Sequence, residues 1–291
     1  MSPDPIAELT SRGPRRLWPR RAPSEPREEG ARAAAIATVS TLVVFGLIIW
    51  FVLSSEAWPA VQRQFFSWHH FTASFPDVAA GFWLDIKMFM VAEVLILAIG
   101  LMVAMVRALR GPAFFPLRLI AVGYIDLVRG LPVLLLILLM GFGIPALKLR
   151  GVTNSPLFWG VAALVVSYSA YTAEVYRAGI ESVFESQRMS ARSIGLTQVQ
   201  ALRFVIVPQA IRNVIPALLN GFVSLQKDVA LVFVLGVREG LREADIYNAR
   251  TFNYTSYIAA AVLFLLVSVP VARFTDWYTD RDRRRKQSLS I

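Results

Sequence analysis

The sequence predicts an all-α polytopic membrane protein with six transmembrane helices and both termini cytoplasmic. Three observations carry this. Hydrophobic residues make up 56% of the 291 positions, more than a soluble domain of this size accommodates. Six runs are free or nearly free of charge, at 33–55, 88–106, 131–147, 151–173, 213–237 and 251–272. Each approaches the roughly 20 residues a helix needs to cross about 30 Å of hydrocarbon. Finally, Lys and Arg are distributed unevenly along the chain. Seven arginines from Arg12 to Arg32 precede the first run, and Arg281, Arg283, Arg284, Arg285 and Lys286 follow the last. Arg107, Arg110 and Arg118 follow the second run and Arg188, Arg192 and Arg203 the fourth, all on one side of the bilayer when the crossings alternate. Because cytoplasmic loops carry the excess of Lys and Arg, that side is the cytoplasm. The formal charge of +10 is thereby topological, and a nucleic-acid footprint is excluded.

Along the chain, residues 1–32 are rich in Pro, Arg, Glu and Ser without apolar periodicity, which predicts a disordered basic tail. The run 33–55 begins too late and extends too far for a cleaved signal, so it reads as an uncleaved first transmembrane helix. Residues 56–81 carry Trp58, Phe65, Phe66, Trp68, Phe71 and Phe75, an aromatic density suited to an external interfacial segment. His69 and His70 are adjacent and cannot readily converge on one metal, so they belong to that belt. With no cysteine in the chain, disulfides, thiolate metal sites and cysteine nucleophiles are excluded. Gly130-Leu131-Pro132 breaks the third crossing into two predicted pieces, 117–129 and 131–147. Residues 276–291 read as a basic cytoplasmic tail.

Ionisable groups at membrane depth cost on the order of 2.5–3.5 kcal/mol each and usually face a bundle interior or a watery cavity. Glu93 lies in the middle of the second crossing without a local partner. Asp126 and Arg129 are three residues apart, as are Glu174 and Arg177. That spacing permits pairing on one helical face, which would shape a helix end without binding anything. Lys227 and Asp228 fall near the bilayer centre, and neighbours on a helix point about 100° apart. They can lock helices together, act as a gate, or meet a solute carrying both charges, as an α-amino acid does. Asn220, Ser224 and Lys227 share a helical face at spacings of four and three.

Between the fourth and fifth crossings, residues 181–208 form a polar, basic island. Gly195 interrupts its helical pattern, and Pro208 is expected to stop the helix that resumes at Gln198, giving two short helices joined at a bend. Such an element, flanked by Arg188, Arg192 and Arg203, can seat in a groove of a soluble partner.

The residues here resemble the permease subunits of bacterial ATP-binding-cassette importers, in the polar amino acid branch. The family's cytoplasmic signature places Glu-Ala-Ala ahead of a glycine and a terminal proline. This chain offers Met189-Ser190-Ala191, Gly195, Val205, Val207 and Pro208 at that spacing. Supporting motifs are Tyr124-x-Asp126-x-x-Arg129-Gly130-x-Pro132, Tyr171-x-x-Glu174-x-x-Arg177, Pro208-Gln209-Ala210 and Lys227-Asp228. Two departures stand out: Met189 replaces the leading glutamate, and Val229-Ala230 replace the usual Thr-Ser after Lys-Asp.

The resemblance implies a five-helix core at 82–275, preceded here by the extra helix 33–55. It implies a second permease subunit, two cytoplasmic ATPase subunits and an external solute-binding protein. Arg188, Ala191, Arg192, Ser193, Gly195, Leu196, Thr197 and Pro208 would couple to the ATPase, and Gly130 and Pro132 would serve as hinge positions. Glutamate, aspartate or glutamine are the expected solutes, another small polar solute being the alternative. A secondary transporter is disfavoured because no internal repeat is visible. The chain has no phosphate-binding Gly-x-x-x-x-Gly-Lys-Ser/Thr loop, so ATP and Mg are expected on the partner ATPases and no cofactor on this chain.

Overall fold

The computed structural model describes residues 28–109, 111–183 and 185–288, so most of the tail at 1–32 lies outside the described residues. The chain divides into two compact units, 1–60 and 61–291. Helix α1 of the first, Glu28–Leu53, starts five residues before the expected boundary at 33. The hydroxyls of Thr38 and Thr41 donate to the carbonyls of Ala34 (2.8 Å) and Ala37 (2.6 Å). A lipid-embedded helix has no water to satisfy such groups and must satisfy them internally.

Helix α2, Trp58–Phe65, crosses the boundary between the units, and α3 runs without interruption from Trp68 to Ala108. The expected external segment 56–81 is therefore not separate from the second crossing. Its second half is the first four turns of a 41-residue rod, about 61 Å long at 1.5 Å per residue. Packing explains the continuation past Pro76: buried Val78 clusters with Ala244, Ala259 and Ala260 from two later helices.

The third crossing is broken as expected. Helix α4, Phe115–Arg129, is followed by α5, Val133–Leu138, a π turn at Leu139–Gly143 and α6, Ile144–Ala146. The break follows from Pro132, which lacks an N–H and forces its predecessor out of helical geometry, and the pieces on either side meet at 108°. Helix α7, Pro156–Glu181, begins where the Ser155 hydroxyl accepts from the Phe158 N–H at 3.3 Å. Helices α8, Glu185–Ser193, and α9, Gln198–Ala201, lead through a π turn at Leu202–Ile206 into α10, Val207–Asp228.

Pro208 thus opens α10 instead of ending a helix, a correction with a simple cause. A proline in the first turn sacrifices only an N–H that has no intrahelical partner. The fifth crossing ends in a 3-10 stretch, Val229–Leu235, and Gly236 turns the chain with φ 79° into α11, Gly240–Thr251. Helix α12, Thr255–Ser288, continues through the expected tail at 276–291, leaving 289–291 outside the described residues.

Among the described residues five helices are long and apolar enough to cross a membrane, and the bent pair of α4 with α5–α6 makes a sixth when counted as one span. The core sits where α3, α5, α7 and α10 meet: Phe89, Ile96, Ile137, Leu164 and Leu225 are buried together with Val229 and Val232. On one flank of this core the helices part around a cavity whose largely apolar wall carries several charged and polar groups.

Candidate functional site

The cavity encloses about 440 Å³ between α3, α5, α7 and α10, within the range of small-molecule sites. Glu93, Tyr168, Tyr171, Thr172, Ser224, Lys227 and Asp228 line it, among apolar Ile96, Val133 and Phe222. Lys227 and Asp228 both reach it, since they occupy the last turn of α10 before it tightens to 3-10 geometry. Asn220 is exposed on α10 but does not line the cavity, whereas Ser224 and Lys227 of the same face do.

The Tyr168 hydroxyl donates to Asp228 Oδ2 at 2.6 Å, so this carboxylate is already engaged. Glu93 is half-buried and makes no hydrogen bond or ion pair with any described residue, although it acts electrostatically on Tyr168 and Tyr176. The site therefore presents one engaged carboxylate, one free carboxylate and one ammonium. Replacing Tyr168→Phe removes the donor from a partly exposed charged acceptor and should cost roughly 1.5–2 kcal/mol. Equilibrium unfolding in detergent reads this directly; an unchanged stability would mean that the bond is spectator.

The two spacing-of-three pairs differ. Glu174 Oε1 accepts from Nε (3.0 Å) and Nη2 of Arg177, whose Nη1 donates to Glu181. Glu174 Oε2 further accepts from Arg107 of α3 at 2.7 Å, so the pair is part of an interhelical network. Asp126 and Arg129, by contrast, form no ion pair. Arg129 lies over the Tyr171 ring, 5.6 Å from its centroid, an arrangement that keeps the guanidinium hydrated on one side. Tyr124 of the same motif donates to the Val166 carbonyl at 2.6 Å and ties α4 to α7. Gly130 and Pro132 sit at the 108° bend.

The α8–α9 segment has a defined bend. Gly195 adopts φ 87°, and the N–H groups of Gly195 and Leu196 donate to the carbonyls of Arg192 (3.0 Å) and Ala191 (3.2 Å). This pattern ends a helix in the left-handed conformation that glycine favours. Thr197 then starts α9: its hydroxyl accepts from the Gln200 N–H (3.3 Å) while its own N–H donates to Gln200 Oε1 (2.9 Å), a reciprocal cap. Ala191 is buried, Ser193 turns back to the Met189 carbonyl, and Arg192 is exposed. Met189, Ile194 and Phe204 expose 64%, 78% and 62% of their surface, so the segment presents apolar knobs. The side chain of Arg188 lies outside the described residues, and Pro208 stands at the base of α10.

A feature that sequence reasoning missed joins α3 to α11. Glu239, fully buried, caps α11 by accepting from the N–H groups of Leu241 (2.9 Å) and Arg242 (2.6 Å). Buried Asp85 accepts from the Gly240 N–H at 3.1 Å. The Asp85 and Glu239 carboxyls lie close enough to interact. No local pattern could have flagged them, because their chain separation exceeds any helical period.

Burial pushes the Glu239 carboxyl above its ordinary value of 4.5. A carboxyl raised in the folded state favours folding below the unfolded value, and that contribution is lost as pH climbs through the folded one. The thermal midpoint should therefore fall as pH rises from about 4.5, and Glu239→Gln should make the fall shallower. Parallel pH profiles for the two proteins would refute this. Arg238 beside it is held in its charged form by Glu243, which it meets at 2.6 and 3.0 Å.

Comparison with known proteins places this architecture. The profile of the binding-protein-dependent transport system inner membrane component matches residues 112–284. The chain is 33% identical over 205 residues to the probable amino-acid permease protein YxeN of Bacillus subtilis, covering 69% of this chain and 89% of that one. It is 35% identical over 170 residues to the probable glutamine ABC transporter permease protein GlnM of the same organism, covering 57% and 76%. Among solved structures, an amino acid ABC transporter crystallised with histidines superposes with a TM-score of 0.65 at 33% identity, covering 71% of this chain and 94% of that one. The chain belongs to the family of inner-membrane permease components of binding-protein-dependent, ATP-binding-cassette transport systems.

Proposed function

We propose that this chain is the membrane-spanning subunit of an ATP-driven amino acid importer in a bacterial cytoplasmic membrane, with both termini and the α8–α9 segment in the cytoplasm. One observation carries the reading: a cavity of about 440 Å³ in the bundle brings Glu93, Lys227 and Asp228 together. An α-amino acid brings an ammonium and a carboxylate, and each finds an opposite charge there. The amino acid and glutamine permeases among its relatives support the same class.

In this reading the chain pairs with a second permease subunit, two cytoplasmic ATPase subunits and an external solute-binding protein. ATP and Mg reside on the ATPase subunits, and this chain binds no cofactor. The apolar knobs Met189 and Ile194 seat α8 in the ATPase, with Arg188, Ala191, Arg192, Ser193, Leu196, Thr197 and Pro208 shaping the contact around Gly195. Closure of the ATPase dimer moves this segment, and the bundle yields at Gly130 and Pro132 to open Glu93, Ser224, Lys227 and Asp228 to the outer side. Asn220 lies on the same face of α10, towards the second permease subunit. The Arg107–Glu174–Arg177 network and the stacking of Arg129 on Tyr171 hold the helix ends.

The test is uptake of labelled amino acids into proteoliposomes holding the permease with its ATPase subunits, supplied with the solute-binding protein. ATP-dependent accumulation of at least one amino acid is expected. Uptake by the permease alone, driven by an ion gradient without ATP, would overturn the assignment.

A further inference from the structure

The cavity charges do not balance. Lys227 contributes one ammonium, whereas Glu93 and Asp228 contribute two carboxylates. The Tyr168 hydroxyl bonds Asp228 but brings no positive charge. Glu93 finds no cation among the described residues: Arg107 and Arg177 both hold Glu174, and Arg129 lies over the Tyr171 ring. Val229 and Ala230, which follow the charged pair, add no hydroxyl that could hydrogen-bond a second carboxylate. A zwitterion with an uncharged side chain leaves the site with its single surplus negative charge, and a cationic side chain neutralises it. An anionic side chain adds a like charge to a partly dehydrated space, where repulsion is far less screened than in water.

Resting on the amino acid reading above, we propose that the unpaired Glu93 carboxylate makes this cavity a charge filter that admits amino acids with uncharged or cationic side chains and rejects glutamate and aspartate. Glu93 meets the solute directly, as the counter-ion of its ammonium, while Lys227 receives the α-carboxylate. Of the solutes expected from sequence resemblance, this retains glutamine and removes the two acidic ones.

Glutamine and glutamate have nearly the same shape and differ in charge, so they form the natural pair of probes. Equilibrium binding of labelled glutamine, glutamate and arginine is measured on the detergent-purified permease–ATPase complex, without the solute-binding protein and its own selectivity. The wild-type complex is expected to bind glutamine or arginine roughly 10- to 100-fold more tightly than glutamate, the span of one charge-assisted contact. Glu93→Gln should bring that ratio to within about threefold, whereas Glu93→Asp, which keeps the charge, should retain most of it. Retention by Glu93→Asp also shows that the complex tolerates change at this position. Equal binding of glutamate and glutamine by wild type, or an unchanged ratio in Glu93→Gln, would overturn the filter while leaving the importer reading intact. Absence of binding by all three, together with absence of ATP-driven amino acid uptake, would overturn both.

Discussion

Replacing Gly81→Val is expected to detach α11 from α3 and to lower stability by about 3 kcal/mol or more, the upper end of what overpacking costs. A Cβ at Gly81 would stand 2.6 Å from the Glu239 carbonyl carbon, 2.7 Å from its oxygen and 2.8 Å from the Gly240 nitrogen. All three are backbone atoms, so no side-chain rotation relieves the clash. Moving the backbone would also strip the Gly240 N–H from buried Asp85, leaving a buried carboxyl oxygen without its donor at a further cost of order 1–3 kcal/mol. The expected readout is a lowered thermal midpoint in detergent together with faster proteolysis in the α11 region. A midpoint equal to wild type would show that α11 is not held at this contact. Gly123→Ala serves as a control, because no atom beyond its own stretch of helix backbone lies within 4 Å of its Cβ position.

Gly195→Asp is expected to lower ATP-dependent uptake about tenfold or more, through the backbone and the interface together. An L-residue in the left-handed region costs roughly 1–2 kcal/mol, about a factor of ten in the population of the bent segment. The φ of 87° demands that region, while the Cβ itself would meet nothing within 4 Å. The fold of the bundle should therefore survive, which separates this variant from Gly81→Val. The carboxylate would also stand beside exposed Ile194 on a surface proposed to bind through apolar knobs. Asn tolerates the left-handed conformation without bringing charge, so Gly195→Asn should retain appreciably more uptake. Full ATPase co-purification and full uptake with aspartate in place would remove α8–α9 from the coupling role.

What was legible in the sequence followed from strong local chemistry. Six apolar runs announced the crossings, and Pro132 announced the break in the third, because a missing N–H acts wherever the chain goes. The 108° angle at that break was not legible, since it depends on what the two pieces pack against. Pro208 shows the opposite error: the same missing N–H that ends a helix is harmless in a first turn, and only the π turn ahead of it reveals which applies. The rod through Pro76 was hidden because Val78 is buried by residues more than 160 positions later in the chain.

At the cavity, Glu93, Lys227 and Asp228 could be singled out one at a time as costly charges. Their convergence could not, nor could the claim of Tyr168 on Asp228 across 60 residues. Spacing also overpromised at Asp126 and Arg129. A helical interval of three permits an ion pair, but Arg129 lies over the Tyr171 ring instead. The same interval succeeded at Glu174 and Arg177, where Arg107 adds a third charge from α3.

The unbroken length of α3 has a mechanical consequence. A stiff rod about 61 Å long converts a tilt of about 1° into about 1 Å of travel at its far end. Arg107 grips α7 at one extremity through Glu174, and Asp85 and Gly81 grip α11 towards the other. Glu93 sits between these grips, on the cavity wall. Any tilt of α3 as one body therefore carries Glu93, and with it one wall of the cavity, along the arc between the two grips.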